Sequence, residues 1–136
     1  MSNLFDVFGI SGSGLTLHRK WMDAIADNIA NVNTVTSTSQ NAFQARYVEA
    51  QAVSYGNGDG GVEVAGTALG SAQGRIVYDP QNPLADKDGN VRYPDIDLSS
   101  QMTQLIMAQR GYQASLSVVD RARDAYAAAI QVGRSA

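Results

Sequence analysis

The sequence predicts an α+β fold: long N- and C-terminal helices that pair as a coiled-coil-like domain, with a small Gly-rich β domain between them. Three observations carry that reading. Eight of the 13 glycines fall between Gly56 and Gly89. On either side of that stretch, apolar residues recur at helical spacing. Within it, β-branched and alternating runs are separated by turn residues. The parts are expected at residues 1–36, 37–96 and 97–136.

In the first part, Leu4, Phe8, Ser11, Leu15, His18, Met22, Ile25, Ile29 and Val32 follow one another at alternating steps of four and three. That is a heptad seam, the pattern a helix presents to a partner helix. Arg19, Lys20, Asp23, Asp27, Asn28 and Asn31 lie off it. Gly9, Gly12 and Gly14 each cost a helix about 1 kcal/mol relative to alanine. The firm helix is therefore expected over residues 11–32, with a looser start.

The middle reads as short strands. Residues 43–53 mix aromatic and β-branched side chains, Val62-Glu63-Val64 alternates, and Arg75-Ile76-Val77-Tyr78 and Val91-Arg92-Tyr93 are compact runs. Asp88-Gly89-Asn90 is a turn signal between the last two. The glycine-dense run 56–61 reads by composition as a flexible loop.

The last part repeats the helical pattern. Leu98, Met102, Leu105, Ala108, Tyr112, Leu116, Val119, Ala122, Tyr126 and Ile130 trace one face. Asp97 is the expected N-cap, Pro94 prevents an earlier start, and Gly133 marks the far end. Such a helix would be roughly 50 Å long, more than a compact domain of this size needs. Two long seams at opposite ends of the chain most simply pack on each other or on other copies.

Composition limits what the fold can do. Hydrophobic residues make up 44% of the 136, but 19 of them are alanine, and Leu, Ile, Val and Phe together number only 30. Few large side chains remain to build a wide core. The net charge of −3 argues against a nucleic-acid or anionic-membrane partner. Zero cysteines exclude disulfides, thiol catalysis and cysteine-ligated zinc. No apolar run approaches the 18 or so residues of a membrane helix. Met1-Ser2-Asn3-Leu4-Phe5-Asp6 has neither the basic start nor the apolar stretch of a cleavable signal peptide.

Nor does any constellation carry catalysis. His18 is the single histidine and lies on the seam. Ser11 shares its face but sits about 10 Å of helical rise away, too far to hydrogen-bond. Gly9, Gly12 and Gly14 lack both the preceding strand and the third glycine of a dinucleotide loop, where Leu17 stands. Setting Gly89 at the invariant glycine of a calcium loop puts Leu84 and Asp95 at two principal ligand positions. The chain is expected to be no enzyme, with no catalytic residue, metal or cofactor.

Specific words now meet that order of parts. Asn28-Ile29-Ala30-Asn31-Val32-Asn33-Thr34 resembles the N-x-A-N-x-x-T motif of the N-terminal helix of bacterial flagellar axial proteins. Ala108-Gln109-Arg110-Gly111-Tyr112-Gln113-Ala114-Ser115 is similar to the A-x-R-x-Y-Q-A-N stretch of their C-terminal helix. The segment from Tyr78 through Pro80, Pro83, Ala85, Asp86 and Gly89 to Val91 resembles the Y-x-P-x-x-P-x-A-D-x-x-G-x-V signature of the proximal-rod subfamily. The likeness covers nearly the whole chain. Ser115 stands where the family commonly has Asn, Gly111 sits inside the helix, and Thr34 leads into Val35-Thr36-Ser37 instead of a Gly-aromatic pair.

The resemblance implies a structural subunit of the basal-body rod that transmits torque from motor to hook. It implies export through the flagellar type III apparatus without a cleavable signal, and helical stacking with copies of itself and other rod proteins in a periplasm-spanning rod. Asn28, Asn31, Thr34, Arg110 and Gln113 are the family-motif residues. Leu15, Met22, Ile25, Ile29 and Val32 on one helix, with Leu105, Tyr112, Leu116, Val119 and Tyr126 on the other, are expected to form the assembly interface. The family further suggests that Phe5 and Phe8 carry export information. The competing reading is a secreted coiled-coil stalk whose β middle binds peptidoglycan or a bushing-ring protein.

Overall fold

The structure, a computed structural model, describes residues 2–56 and 59–135. Two long helices bracket two small antiparallel sheets, in the order α1 (Ser2–Asn31), β1 (Arg46–Gly56), β2 (Asp59–Leu69), β3 (Arg75–Tyr78), β4 (Asn90–Tyr93) and α2 (Leu98–Ser135). This is the α+β class with terminal helices.

Helix α1 starts nine residues earlier than the glycines suggested and runs straight through them. Side chains bond back along this segment: Ser13 Oγ to the Ile10 carbonyl, Thr16 Oγ1 to Gly12, and His18 Nδ1 to Gly14. Packing against α2 offsets the poor propensity of these turns, as it does for most helices in proteins. The helix ends on Asn31. Its Nδ2 donates to the Asp27 carbonyl (2.9 Å), while its own carbonyl and Oδ1 accept from the Thr34 N–H and hydroxyl. Carbonyls that the last turn leaves unpaired are thereby satisfied.

Of the glycine-dense run, Gly56, Asp59, Gly60 and Gly61 are strand, while residues 57 and 58 lie outside the described residues. β1 and β2 pair from Arg46↔Leu69 to Gly56↔Asp59, with irregularities at Glu49/Ala50 and Ser54/Gly56. Glycine is needed there for close approach. A Cβ on Gly60 would sit 2.7 Å from the Val53 carbonyl oxygen, and one on Gly61 would sit 2.6 Å from Ser13 Oγ of α1. The hairpin lies along α1, fixed near its tip by the Val62 N–H donating to Ser13 Oγ.

β3 pairs with β4, and Thr36 bridges to Arg92 on the other edge of β4. Helix α2 starts where expected. Asp97 Oδ1 accepts the Ser99 N–H at 2.9 Å, the N-cap bond. Gly133 does not stop the helix, which continues to Ser135.

The core is narrow. Ile25, Asn28, Val91 and Pro94 are its most enclosed side chains, joined by Ala24, Ala42, Ala45, Ile96 and Gln101. All of these sit where the helices root in the β region. Further along the helix pair, the fully buried residues of α2 are Ala108 and Ala122. The chain exposes 8961 Å², against about 6,800 Å² for a compact monomer of its mass. About 2,100 Å² is therefore surplus.

Candidate assembly interface

Three pairings fix how the helices meet. Asn28 bonds Gln101, Gly111 lies against His18, and Gly14 lies against Ser115. Each step down α1 matches an equal step up α2, so the pair is antiparallel in a single register. The same register sets Trp21 opposite Ala108 and Val7 opposite Ala122. Large side chains on one helix thus meet small ones on the other, which lets the axes approach closely.

Asn28 is the hub of the root. Its Oδ1 accepts the Arg46 N–H (2.8 Å), and its Nδ2 donates to the Arg46 carbonyl (2.9 Å) and to Gln101 Oε1 (3.0 Å). One buried amide therefore sets the start of β1 and the register of α2 against α1. The exposed Arg46–Asp27 ion pair reinforces the same junction, worth at most about 1 kcal/mol in so wet a setting. Of the family-motif residues, Asn28, Asn31 and Thr34 thus serve local structure. Arg110 and Gln113 project from exposed positions of α2, away from α1.

The contact line on α2 is Gln101, Leu105, Ala108, Tyr112, Ser115, Val119, Ala122, every member at least half-buried. Its steps alternate four and three, but it includes Gln and Ser, which an apolar count passes over. On α1 the matching line is Val7, Gly14, His18, Trp21, Ile25, Asn28. Leu105, Tyr112, Val119 and Ile25 lie on these lines. Leu15, Met22 and Ile29 are each one residue past a line member, hence turned about 100° from it. Met102 and Leu116 are displaced likewise on α2.

In an antiparallel pair, equal rotations carry both sets to the same flank. Leu15 and Tyr112 line one crevice there, with Thr16 and Arg19. The two large-residue seams, expected to interlock, stand side by side instead. The reason is the small-for-large packing at Gly14, Ala108 and Ser115 on the contact line, with Gly111 against His18 beside it. Leu15, Met22 and Ile29 are half-buried, whereas Leu98 and Met102 are each 47% exposed and Leu116 is 42% exposed. The hairpin covers a different side of α1, the one carrying Ser13, Lys20 and Asp27. Val32 is half-buried just beyond α1, and Phe8 is half-buried in its first third. Tyr126, 37% exposed, follows Ala122 on α2 by a further step of four. Phe5 lies in α1, but its side chain is outside the described residues.

Elsewhere, Asp86 organises the long turn between β3 and β4. Its carboxylate accepts the Asn90 and Asp88 N–H groups and the Thr38 hydroxyl. Those bonds, the Asn90 amide foremost and then the Thr38 hydroxyl, hold its pKa below the ordinary 3.8, against a smaller opposing effect of burial. The Asp86–Gly89 run is thus a self-bonded turn. Among the described residues, no helix is long and apolar enough to cross a membrane.

Residues 9–36 match the family described as flagella basal body rod protein, and residues 87–132 match flagellar basal body rod FlgEFG protein, C-terminal. Flagellar basal-body rod protein FlgC of Salmonella typhimurium is 33% identical over 132 residues, spanning 96% of this chain and 98% of that one. The FlgC of Yersinia enterocolitica is 34% identical over 97% of this chain and 99% of its own length. That of Bacillus subtilis is 25% identical over 96% and 98%. The two family matches fall on the helix pair and the approach to α2, leaving the hairpin between them.

Proposed function

The chain belongs to the FlgC family of flagellar basal-body rod proteins and is a structural subunit of the rod; on that premise we propose that the flank carrying both large-residue seams is its assembly surface. One observation supports this above the rest. Leu98, Met102 and Leu116 stand uncovered beside Leu15, Met22 and Ile29 on a chain with about 2,100 Å² of surplus surface. A standard specific interface buries about 1,600 Å² in total. Burial of that flank against copies of the chain or other rod proteins drives assembly. Torque then passes from subunit to subunit through the helix pair, and the chain does no chemistry. Export proceeds through the flagellar type III apparatus, with Phe5 and Phe8 among the residues it reads, and the assembled rod spans the periplasm.

The hairpin is a poor separable binding module, because Ser13 and Asn28 of α1 bond its tip and its base. The test is Leu116→Asp in the full chain. The isolated protein should keep its helix content by circular dichroism, while rods fail to assemble and cells lose motility. Normal rods with a buried-flank Asp would refute the assignment. For export, Phe5→Ser with Phe8→Ser should leave the protein stable in the cytoplasm and absent from the secreted fraction.

A further inference from the structure

The seam flank is one of two apolar sides of the helix pair. About 100° from the contact line in the opposite sense, α2 presents Met107, Gly111, Ala114 and Val118. They follow one another at steps of four, three and four, the spacing of a face that meets another helix. Met107 is 57% exposed and Val118 44%. On α1 the same side is taken by the hairpin, which leaves an open groove of 430 Å³ between α1 and its tip, lined by Gly9, Ser13, Tyr55 and Glu63 among others. Among the described residues no strand packs on α2, so its face stands open where that of α1 is covered.

The two sides of α2 are complementary in relief. The seam flank projects Leu98, Met102 and Leu116. The opposite face has a hollow at Gly111 and Ala114, set between the projecting Met107 and Val118. Charge follows the same division. Asp120 comes four residues after Leu116 on the flank, and Arg121 comes three after Val118 on the opposite face, both exposed. Two copies lying side by side, parallel and level, would hold Leu116 of one between the heights of Ala114 and Val118 of the other. Helical side chains lean toward the N-terminus, which carries Leu116 over Ala114 toward Gly111. Asp120 then falls within about 1.5 Å of the height of Arg121. Area also allows two faces: a standard interface takes about 800 Å² from each partner, and the chain has about 2,100 Å² of surplus.

We propose that the Met107–Val118 face of α2 receives the seam flank of a second copy, side by side and level, with Leu116 in the hollow and Asp120 beside Arg121. The contact joins two different surfaces of one chain, so each pair still offers one of each and the contact repeats instead of stopping at two. This deepens the rod-subunit reading and rests on it.

The chain has no cysteine, so the test is direct. The full chain carrying Ala114→Cys with Leu116→Cys is oxidised in isolated basal bodies. The two positions lie about 160° apart around α2 and cannot bond within one chain. A ladder of multiples of this chain's mass is expected from the double variant and not from either single one. A dimer from Leu116→Cys alone would mean flank against flank and would overturn the proposal. So would rods without a ladder, or a cross-link to a chain of another mass, while leaving the rod reading intact. Absence of the wild-type chain from basal bodies would instead remove the rod reading. As a second arm, in the otherwise unaltered chain, Asp120→Arg and Arg121→Asp should each lower recovery in basal bodies about fivefold, and their combination should restore it. Unchanged recovery in both single variants would also count against the contact.

Discussion

Replacing Gly111 with alanine tests the helix packing through the sign of one number. In an open helix, Gly→Ala stabilises by about 1 kcal/mol. Here the added Cβ would lie far inside van der Waals contact with the His18 ring. The ring cannot swing aside freely, since its Nδ1 donates to the Gly14 carbonyl at 2.7 Å and Trp21 lies 6.4 Å away, centroid to centroid. Displacing it forfeits that hydrogen bond, about 1 kcal/mol, and overpacks the interface by about 1–3 kcal/mol. Subtracting the propensity gain leaves Gly111→Ala destabilising by roughly 1–3 kcal/mol. In a His18→Ala background the obstruction is gone, and the same substitution should stabilise by about 1 kcal/mol. Urea unfolding of the four chains, followed by circular dichroism, completes the cycle. Stabilisation of the wild-type background by Gly111→Ala would refute the reasoning, because it would mean that α2 does not approach His18 there.

Asn28→Ala should cost roughly 3 kcal/mol or more in urea unfolding, since it strands the Arg46 amide and carbonyl and the Gln101 carbonyl oxygen at a buried site. Asn28→Asp, which keeps the acceptor and loses both donated bonds, should be no better tolerated; a neutral effect of either would discount the hub. Asp97→Ala should lose about 1 kcal/mol, with faster hydrogen exchange confined to the first turns of α2. Asp86, with its folded pKa below 3.8, adds stability that is fully present above that value and is lost as pH falls through the lower folded value. The acid limb of a stability–pH curve should flatten in Asp86→Asn, and an unchanged limb would dismiss this role.

The long helices and the compact strands β3 and β4 were legible because periodicity and turn chemistry both act locally. The start of α1 was not. Three glycines signal weakness, and only the far half of the chain shows that Ser115 comes to rest on Gly14. The strands of the hairpin are legible in residues 43–53 and 62–64, but Gly60 and Gly61 look like slack in the chain until Val53 and Ser13 are seen pressed against them. Apolar periodicity picks out sets of large residues but not how the two helices face each other. Apolar counting selects Leu15, Met22, Met102 and Leu116, while the line that joins the helices holds Gly14, Gln101, Ala108 and Ser115. The departures at Gly111 and Ser115 from the family pattern were visible in the sequence. Their meaning needed the partner positions His18 and Gly14.

That arrangement constrains what the molecule can build. Because small residues occupy the line between α1 and α2, the large ones are displaced onto one flank, and the hairpin takes a different side of α1. The uncovered flank and the groove beside the hairpin are then separate patches, set apart around the same helix pair. A pairing of two copies through the groove would leave Met102 and Leu116 in water. A narrow core with about 2,100 Å² of surplus surface therefore calls for burial of that flank against neighbouring subunits.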